Sequence, residues 1–204
     1  MKKFFLILTT ATICSLSATA QTATTDPGVV INGIKWATRN VGAPGTFVDN
    51  PEEKGMLYQW NRKVGWSVTD PAVSTDRSEW DNEWKGNGSK TWKAANNVCP
   101  PGWRVPKPSE FLNLSSVKSE WELVNGNRCR RFGKDANSII LPAAGYRERV
   151  RGNLNSVNIY GCYWSNKIQS RYSVYYATFN STGVSPMKDE YFDCGLSVRC
   201  VAEE

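Results

Sequence analysis

The sequence predicts a single α+β domain, with two short helices packed on a mainly antiparallel, twisted sheet and long irregular loops between the elements. Three observations predict it. A helical period holds over only two stretches, residues 91–99 and the run from Pro108 to Leu114, each two or three turns long. Beyond Asn125 the chain divides into strand-length runs separated by clusters of Gly, Asn, Ser and Pro. Finally, 16 Gly and 10 Pro stand beside 9 Trp and 8 Tyr, a composition of many turns and large aromatic packing units rather than long helices.

At the start of the chain, Lys2 and Lys3 precede the apolar run Phe4-Phe5-Leu6-Ile7-Leu8, and Ala18-Thr19-Ala20 offers small residues where a signal peptidase needs them. This is the pattern of an export signal over 1–20, cut before Gln21. Ile13 sits where a lipidation box at Cys14 would need a small residue. Residues 21–28 are polar and small and predict a flexible leader, so the domain is expected over 29–204. Val29-Val30-Ile31 and Ile34-Lys35-Trp36 flank Asn32-Gly33, and Asn-Gly between apolar runs predicts a hairpin because a tight two-residue turn needs positive φ at both central positions. From Ala43 to Gly88 no period persists. That stretch is expected to be irregular chain pinned to the core by Phe47, Tyr58, Trp60, Trp66, Trp80 and Trp84.

Trp92, Ala95 and Cys99 share one face of the first expected helix, which Pro100-Pro101-Gly102 stops. The second is expected to begin at Pro108, a residue tolerated in a first turn, with Glu110 at the positive end of the dipole and Phe111, Leu112 and Leu114 following. Strands are expected over 138–141, 145–150, 159–164, 172–179 and 196–201.

The chain holds 204 residues with a formal charge of +6. Loss of residues 1–20, with Lys2 and Lys3, would leave 184 residues at +4, a mild basicity that supports no nucleic-acid partner. There is no histidine, which excludes Ser-His-Asp and Cys-His catalysis. With Cys14 removed, Cys99, Cys129, Cys162, Cys194 and Cys200 remain. In an exported protein an odd set of five implies one or two disulfides and at least one thiol, and spacing alone leaves the pairing open. No Cys-x-x-Cys pair is present, so no metal site is expected. Outside the signal, no run approaches the apolar length of a membrane span.

Several blocks occur in a defined order: Cys99-Pro100-Pro101-Gly102-Trp103-Arg104-Val105-Pro106 with Glu110-Phe111, then Leu141-Pro142-Ala143-Ala144-Gly145-Tyr146-Arg147, Tyr163-Trp164-Ser165, and Ser197-Val198-Arg199-Cys200-Val201. With residues 32–41 and Tyr58-Gln59-Trp60, they make the chain resemble the Fibrobacter succinogenes major paralogous domain family, as found in exported Bacteroidetes proteins. The resemblance implies a C-type-lectin-like fold, related to that of the sulfatase-modifying enzymes. It also implies that a first-helix cysteine joins one on the last strand, here Cys99 with Cys200. A second bridge, Cys162 with Cys194, is suggested, and Cys129 has no evident mate. Lys107 stands at a helix N-cap where the family usually has Thr.

No calcium-binding Glu-Pro-Asn loop or Trp-Asn-Asp strand is present, and no cofactor is expected. Arg147, Arg149 and Arg151 alternate and, on a strand, would form a row on one face. Such a row either grips the acidic groups of a glycan or is a solvated face. Arg128, Arg130, Arg131 and Lys134 read as a soluble loop. Tyr146 and Trp164, within the blocks, and Tyr191 and Trp84, in loop-rich stretches, are aromatic candidates for stacking on sugar rings. The expected function is a non-catalytic recognition or adhesion domain at the bacterial surface that binds glycan or protein and does not insert in the membrane. The alternatives are an enzyme of the sulfatase-modifying (formylglycine-generating) type, which would use Cys194 and Cys200, and a structural subunit of a surface assembly.

Overall fold

In the computed structural model, residues 25–203 are described; the expected export signal and residues 21–24 of the leader lie outside the described residues. The chain is mostly β, with about 8% helix and 39% strand in three sheets. This overturns the α+β expectation of two helices, and with it the C-type-lectin-like class. In order, the elements are β1 (Val29–Ile31), β2 (Ile34–Trp36), β3 (Leu57–Gln59), β4 (Gly65–Trp66), β5 (Trp103–Arg104), the helix α1 (Pro108–Ser115), β6 (Ser119–Val124), β7 (Asn127–Lys134), β8 (Asn137–Pro142), β9 (Tyr146–Arg147), β10 (Leu154–Asn155), β11 (Gly161–Ile168), β12 (Ser173–Phe179), β13 (Val184–Tyr191), β14 (Gly195–Ser197) and β15 (Val201–Ala202).

The helix expected over 91–99 is reduced to one 3-10 turn, Ala94–Asn96. Its backbone N–H groups are claimed from elsewhere: Trp92 N donates to the Asn166 carbonyl at 2.8 Å, Lys93 N to Asn61 Oδ1 at 2.8 Å and Cys99 N to Asn97 Oδ1 at 3.1 Å. The first two are first-turn donors that a helix would leave unpaired, and the third, Cys99 N–H, is taken from the helical ladder by the Asn97 side chain. The helix at Pro108 does form. Glu110 anchors its first turn by accepting from the Lys107 backbone N–H at 2.6 Å and from the Arg104 guanidinium at 2.7 and 2.9 Å. Its buried face, Phe111 and Leu114, packs beside Trp36, whose ring centre lies 5.3 Å from that of Phe111.

The opening hairpin turns at Asn32 (φ 47°) and Gly33 (φ 81°) and joins β15 and β5 in a four-stranded sheet ordered β1-β2-β15-β5. A second Asn-Gly turn, at Asn125 and Gly126 (φ 46° and 79°), joins β6 to β7 in a separate sheet with β8. The basic cluster therefore lies on a strand and not on a loop. Arg131 pairs with Glu122 at 2.9 Å, and the buried Arg130 donates to the Asn180 carbonyl at 2.6 Å. The third sheet runs β10-β9-β14-β11-β12-β13, with β3 and β4 added alongside β14.

Two apolar clusters fill the interior. One gathers Tyr58, Trp60, Val98, Cys99, Trp164, Leu196 and Cys200; the other gathers Trp36, Phe111, Phe132, Leu141, Tyr163 and Phe179. The long segment before residue 88 is held by its aromatics through ring and N–H alike: Trp60 Nε1 donates to the Ser165 carbonyl at 2.8 Å and Trp80 Nε1 to that of Arg149 at 2.9 Å. The fully buried Arg199 donates to Asn40 Oδ1 and to the carbonyls of Ala37 and Ile140, each at 3.0 Å. It thereby ties the end of the first hairpin to β8. Cys99 and Cys200 form a disulfide with a Cα–Cα distance of 6.1 Å, 101 residues apart in sequence.

The suggested second bridge is absent: Cys162 and Cys194 are both buried thiols, as is Cys129. The strand pairing gives the reason. β14 lies beside β11 only at Ser197, opposite Tyr163; at Gly195 its neighbour is Arg147 of β9. A strand has entered between the two chains before Cys194 is reached.

Candidate functional site

The third sheet builds a cleft on one face. In β11 and β12, Cys162 lies opposite Thr178 and Trp164 opposite Tyr176; in β12 and β13, Tyr176 lies opposite Lys188. Strand alternation brings these side chains to the same face. The register between β12 and β13 shifts between Tyr176 and Thr178, next to Pro186, which has no N–H to give the ladder. Such a bulge re-aims neighbouring side chains, and here both Ser185 and Lys188 reach the cleft.

The facing wall comes from β9 and the loop over 156–160. Gly145 makes the close approach possible: its φ is 71°, and a Cβ there would stand 2.1 Å from the Asn155 carbonyl oxygen. Its N–H donates to the Tyr160 carbonyl at 2.8 Å. Tyr146, Tyr160 and Tyr176 thus line one cleft of about 480 Å³ together with the buried Cys162 and Leu196 and with Thr178, Lys188 and Glu190. Among the described residues, the hydroxyls of these three tyrosines have no hydrogen-bond partner in the protein, whereas the hydroxyls of the core residues Tyr58 and Tyr163 donate to the carbonyls of Gly42 and Pro142. Burial, then the nearby Cys162 and Glu190, pushes the Tyr176 phenol up, and burial raises that of Tyr146 as well. Both stay protonated near neutral pH, able to donate and to accept.

A second hollow of about 590 Å³ lies beyond the end of β13 and is lined by Trp84, Arg149, Arg171, Tyr172, Tyr191 and Asp193, among others. The Arg149 guanidinium lies 4.3 Å over the Tyr191 ring, and its Nε is 3.4 Å from Asp193 Oδ2. A smaller hollow of about 260 Å³ has lining residues in common with each. It shares Glu190 with the first, and Tyr172 and Tyr191 with the second.

The residues singled out from sequence are dispersed. Tyr146 lines the tyrosine cleft; Arg149 and Tyr191 meet in the second hollow; Arg151 is exposed on a turn. Trp164 is fully buried, with its Nε1 donating to the Tyr58 carbonyl at 2.6 Å, and is a core residue. The arginine row does not form. β9 ends at Arg147, and the Glu148 carboxylate gathers the N–H groups of Val150 and Arg151 at 2.7 Å and of Asn153 at 3.3 Å into a turn. Arg147 itself has no exposed surface. It donates to the carbonyls of Ser67 (2.9 Å), Thr69 (2.7 Å) and Gly152 (2.6 Å) and to Asp70 Oδ1 (3.1 Å). It holds loops and offers nothing to a ligand.

The sequence did not single out Tyr160, Tyr176, Lys188 or Glu190. The alternation within 172–179 places Tyr176 and Thr178 on one face, but their partners follow from strand pairing. The free thiols are chemically quiet: burial pushes that of Cys162 up to about 12 and that of Cys129 to about 11, and Cys194 is raised by burial, then by Glu190 and Asp193. No group of three His, Cys, Asp or Glu able to hold a metal ion occurs among the described residues. No family model matches the chain, and no curated protein or solved structure matches it.

Proposed function

We propose that this chain is an exported, non-catalytic recognition domain of the bacterial surface that binds glycan in the cleft between Tyr146, Tyr160 and Tyr176. One observation carries the reading. Three tyrosines whose hydroxyls have no partner in the protein line one hollow, although a tyrosine that serves the core normally spends its hydroxyl on the backbone. Sugar rings present C–H faces and hydroxyl edges, and a wall of tyrosines answers both. Export rests on the Lys2-to-Ala20 pattern and agrees with a disulfide, which persists in oxidising compartments. The likeness of the ordered blocks to the Fibrobacter succinogenes major paralogous domain family belongs to the same proposal as a statement of relatedness. The thiol-enzyme alternative has less support: Cys200 is held in the disulfide, and Cys194 is buried with a raised pKa.

The test is a screen of the purified chain on immobilised glycans, followed by titration calorimetry on Tyr146→Phe, Tyr160→Phe and Tyr176→Phe. Each substitution removes one hydroxyl and keeps the ring. Each is expected to weaken binding about 3- to 10-fold, the worth of one hydrogen bond, with the thermal midpoint retained. Absence of glycan binding, or full affinity in all three variants, would sink the proposal.

A further inference from the structure

The tyrosine cleft does not end at Glu190. The small hollow next to it continues to Tyr172 and Tyr191, and these open into the hollow that holds Trp84. We propose that the ligand is a neutral oligosaccharide that runs from the tyrosine cleft past the end of β13 to Tyr172 and Tyr191. The inference rests on the glycan reading and extends it to the class and length of the glycan.

Three observations support it. The first is continuity. Glu190 borders both the tyrosine cleft and the small hollow, and the next residue, Tyr191, which alternation puts on the other face of β13, lines the small hollow with Tyr172, so the path turns round the end of the strand there. The second is exposure. Tyr160, Tyr172 and Tyr191 are 39%, 62% and 46% exposed, whereas Trp36, Trp60 and Trp164 have no exposed surface. The chain leaves some of its rings to solvent along this path, where core packing does not explain them.

The third is charge. The tyrosine cleft holds Lys188 and Glu190. In the far hollow Arg149 is paired with Asp193, and Glu83 accompanies Lys85 and Arg171. Asp189, in the small hollow, balances the remaining cation. Four cations face four carboxylates, so a path on a basic protein carries no net charge. An acidic glycan gains no net attraction there.

A protein strand is a poorer occupant of the same edge. β13 is the outer strand of its sheet, and Pro186, Lys188, Asp189 and Glu190 interrupt and charge it. These are features that block addition of another strand.

The experiment is calorimetric titration of the whole purified chain with β-1,4-linked gluco-, xylo- and manno-oligosaccharides, each from disaccharide to hexasaccharide, and with oligogalacturonate as the acidic comparison. At least one neutral series is expected to bind, its hexasaccharide about tenfold or more tighter than its disaccharide. In the double variant Tyr172→Ala/Tyr191→Ala that ratio is expected to fall toward one, and Tyr191→Phe, which keeps the ring, should retain it. Circular dichroism and the thermal midpoint check folding. Equal affinity for disaccharide and hexasaccharide would overturn the extended path and leave the cleft standing. Tighter binding of oligogalacturonate would overturn neutrality. Binding of none of the probes would overturn both readings, and capture of a strand-forming peptide at β13 would replace the occupant.

Discussion

Replacing Arg147 tests whether the conspicuous arginines of the Arg147-to-Arg151 stretch serve the ligand or the fold. The side chain is fully buried, and every guanidinium N–H finds an acceptor. Asp70 is 59% exposed, so its ion pair contributes little. The three carbonyls of Ser67, Thr69 and Gly152 are the larger part. At roughly 1.5 kcal/mol for each hydrogen bond to a charged donor, Arg147→Ala should cost about 3–5 kcal/mol. Arg147→Lys should recover part of this, because an ammonium cannot reach both the 67–69 loop and the Gly152 turn. Guanidinium chloride unfolding measures the loss, and limited proteolysis should show new cleavage over 67–73. Arg151→Ala, on the exposed turn, should change stability by less than about 0.5 kcal/mol. If Arg147→Ala were as stable as Arg151→Ala, the structural role would be refuted and a ligand role would return.

Replacing Cys99 and Cys200 together by Ser should lower stability by about 4–5 kcal/mol, from the roughly 100-residue loop that the bridge closes; a reductant that leaves the wild-type denaturation midpoint unchanged would contradict it. At Asp26, burial pushes the carboxyl up, but the Thr38 and Gly28 N–H groups, the Thr38 hydroxyl and the Arg39 guanidinium outweigh it and hold the pKa below the usual value. An acid with a depressed folded pKa stabilises above its unfolded pKa, and the gain is lost as pH falls through the folded value. Asp26→Asn should therefore be less stable than wild type at pH 7, with the gap closing below about pH 4; a constant gap in pH-dependent denaturation would refute this. Finally, Cys129, Cys162 and Cys194 should resist iodoacetamide at pH 8 in the folded protein and react fully in denaturant, as read by peptide mass mapping. Rapid labelling of Cys194 in the folded state would favour the enzyme alternative.

Local signals carried part of the fold. Asn32-Gly33 between apolar runs and Pro108 with Glu110 are decided by neighbours a few residues away, and the hairpin and α1 formed where expected. The same Asn-Gly chemistry at residues 125–126 joins β6 to β7, but Glu120, Glu122, Arg128, Arg130 and Arg131 hide the alternation of a half-exposed sheet behind charge. The helix over 91–99 failed for reasons both distant and local: the Asn61 side chain and the Asn166 backbone carbonyl take the N–H groups of Lys93 and Trp92, the Asn97 side chain takes that of Cys99, and a helical period reports none of these. Much of the site was illegible in the same way. Tyr146 stood out within an ordered block, yet Tyr176, Lys188 and Glu190 join it only through the register of β12 and β13 and the shift near Pro186. Arg147 looked like a ligand group because no local pattern shows that Glu148 folds the chain into a turn.

The covalent link between Cys99 and Cys200 also decides how the chain bears force. β2 and β15, near the two ends of the described chain, are neighbours in one sheet, so tension between the ends loads that pairing first. Once it gives, only the stretch ahead of Cys99 and the few residues after Cys200 can lengthen. Everything between them, including α1 and the tyrosine cleft, hangs as a closed loop outside the line of pull. The part that lengthens carries β3, which lies along β14, and the Ser67 and Thr69 carbonyls that hold Arg147, so extension ahead of Cys99 would strip support from the cleft while the bridge keeps the strands that line it on one closed loop.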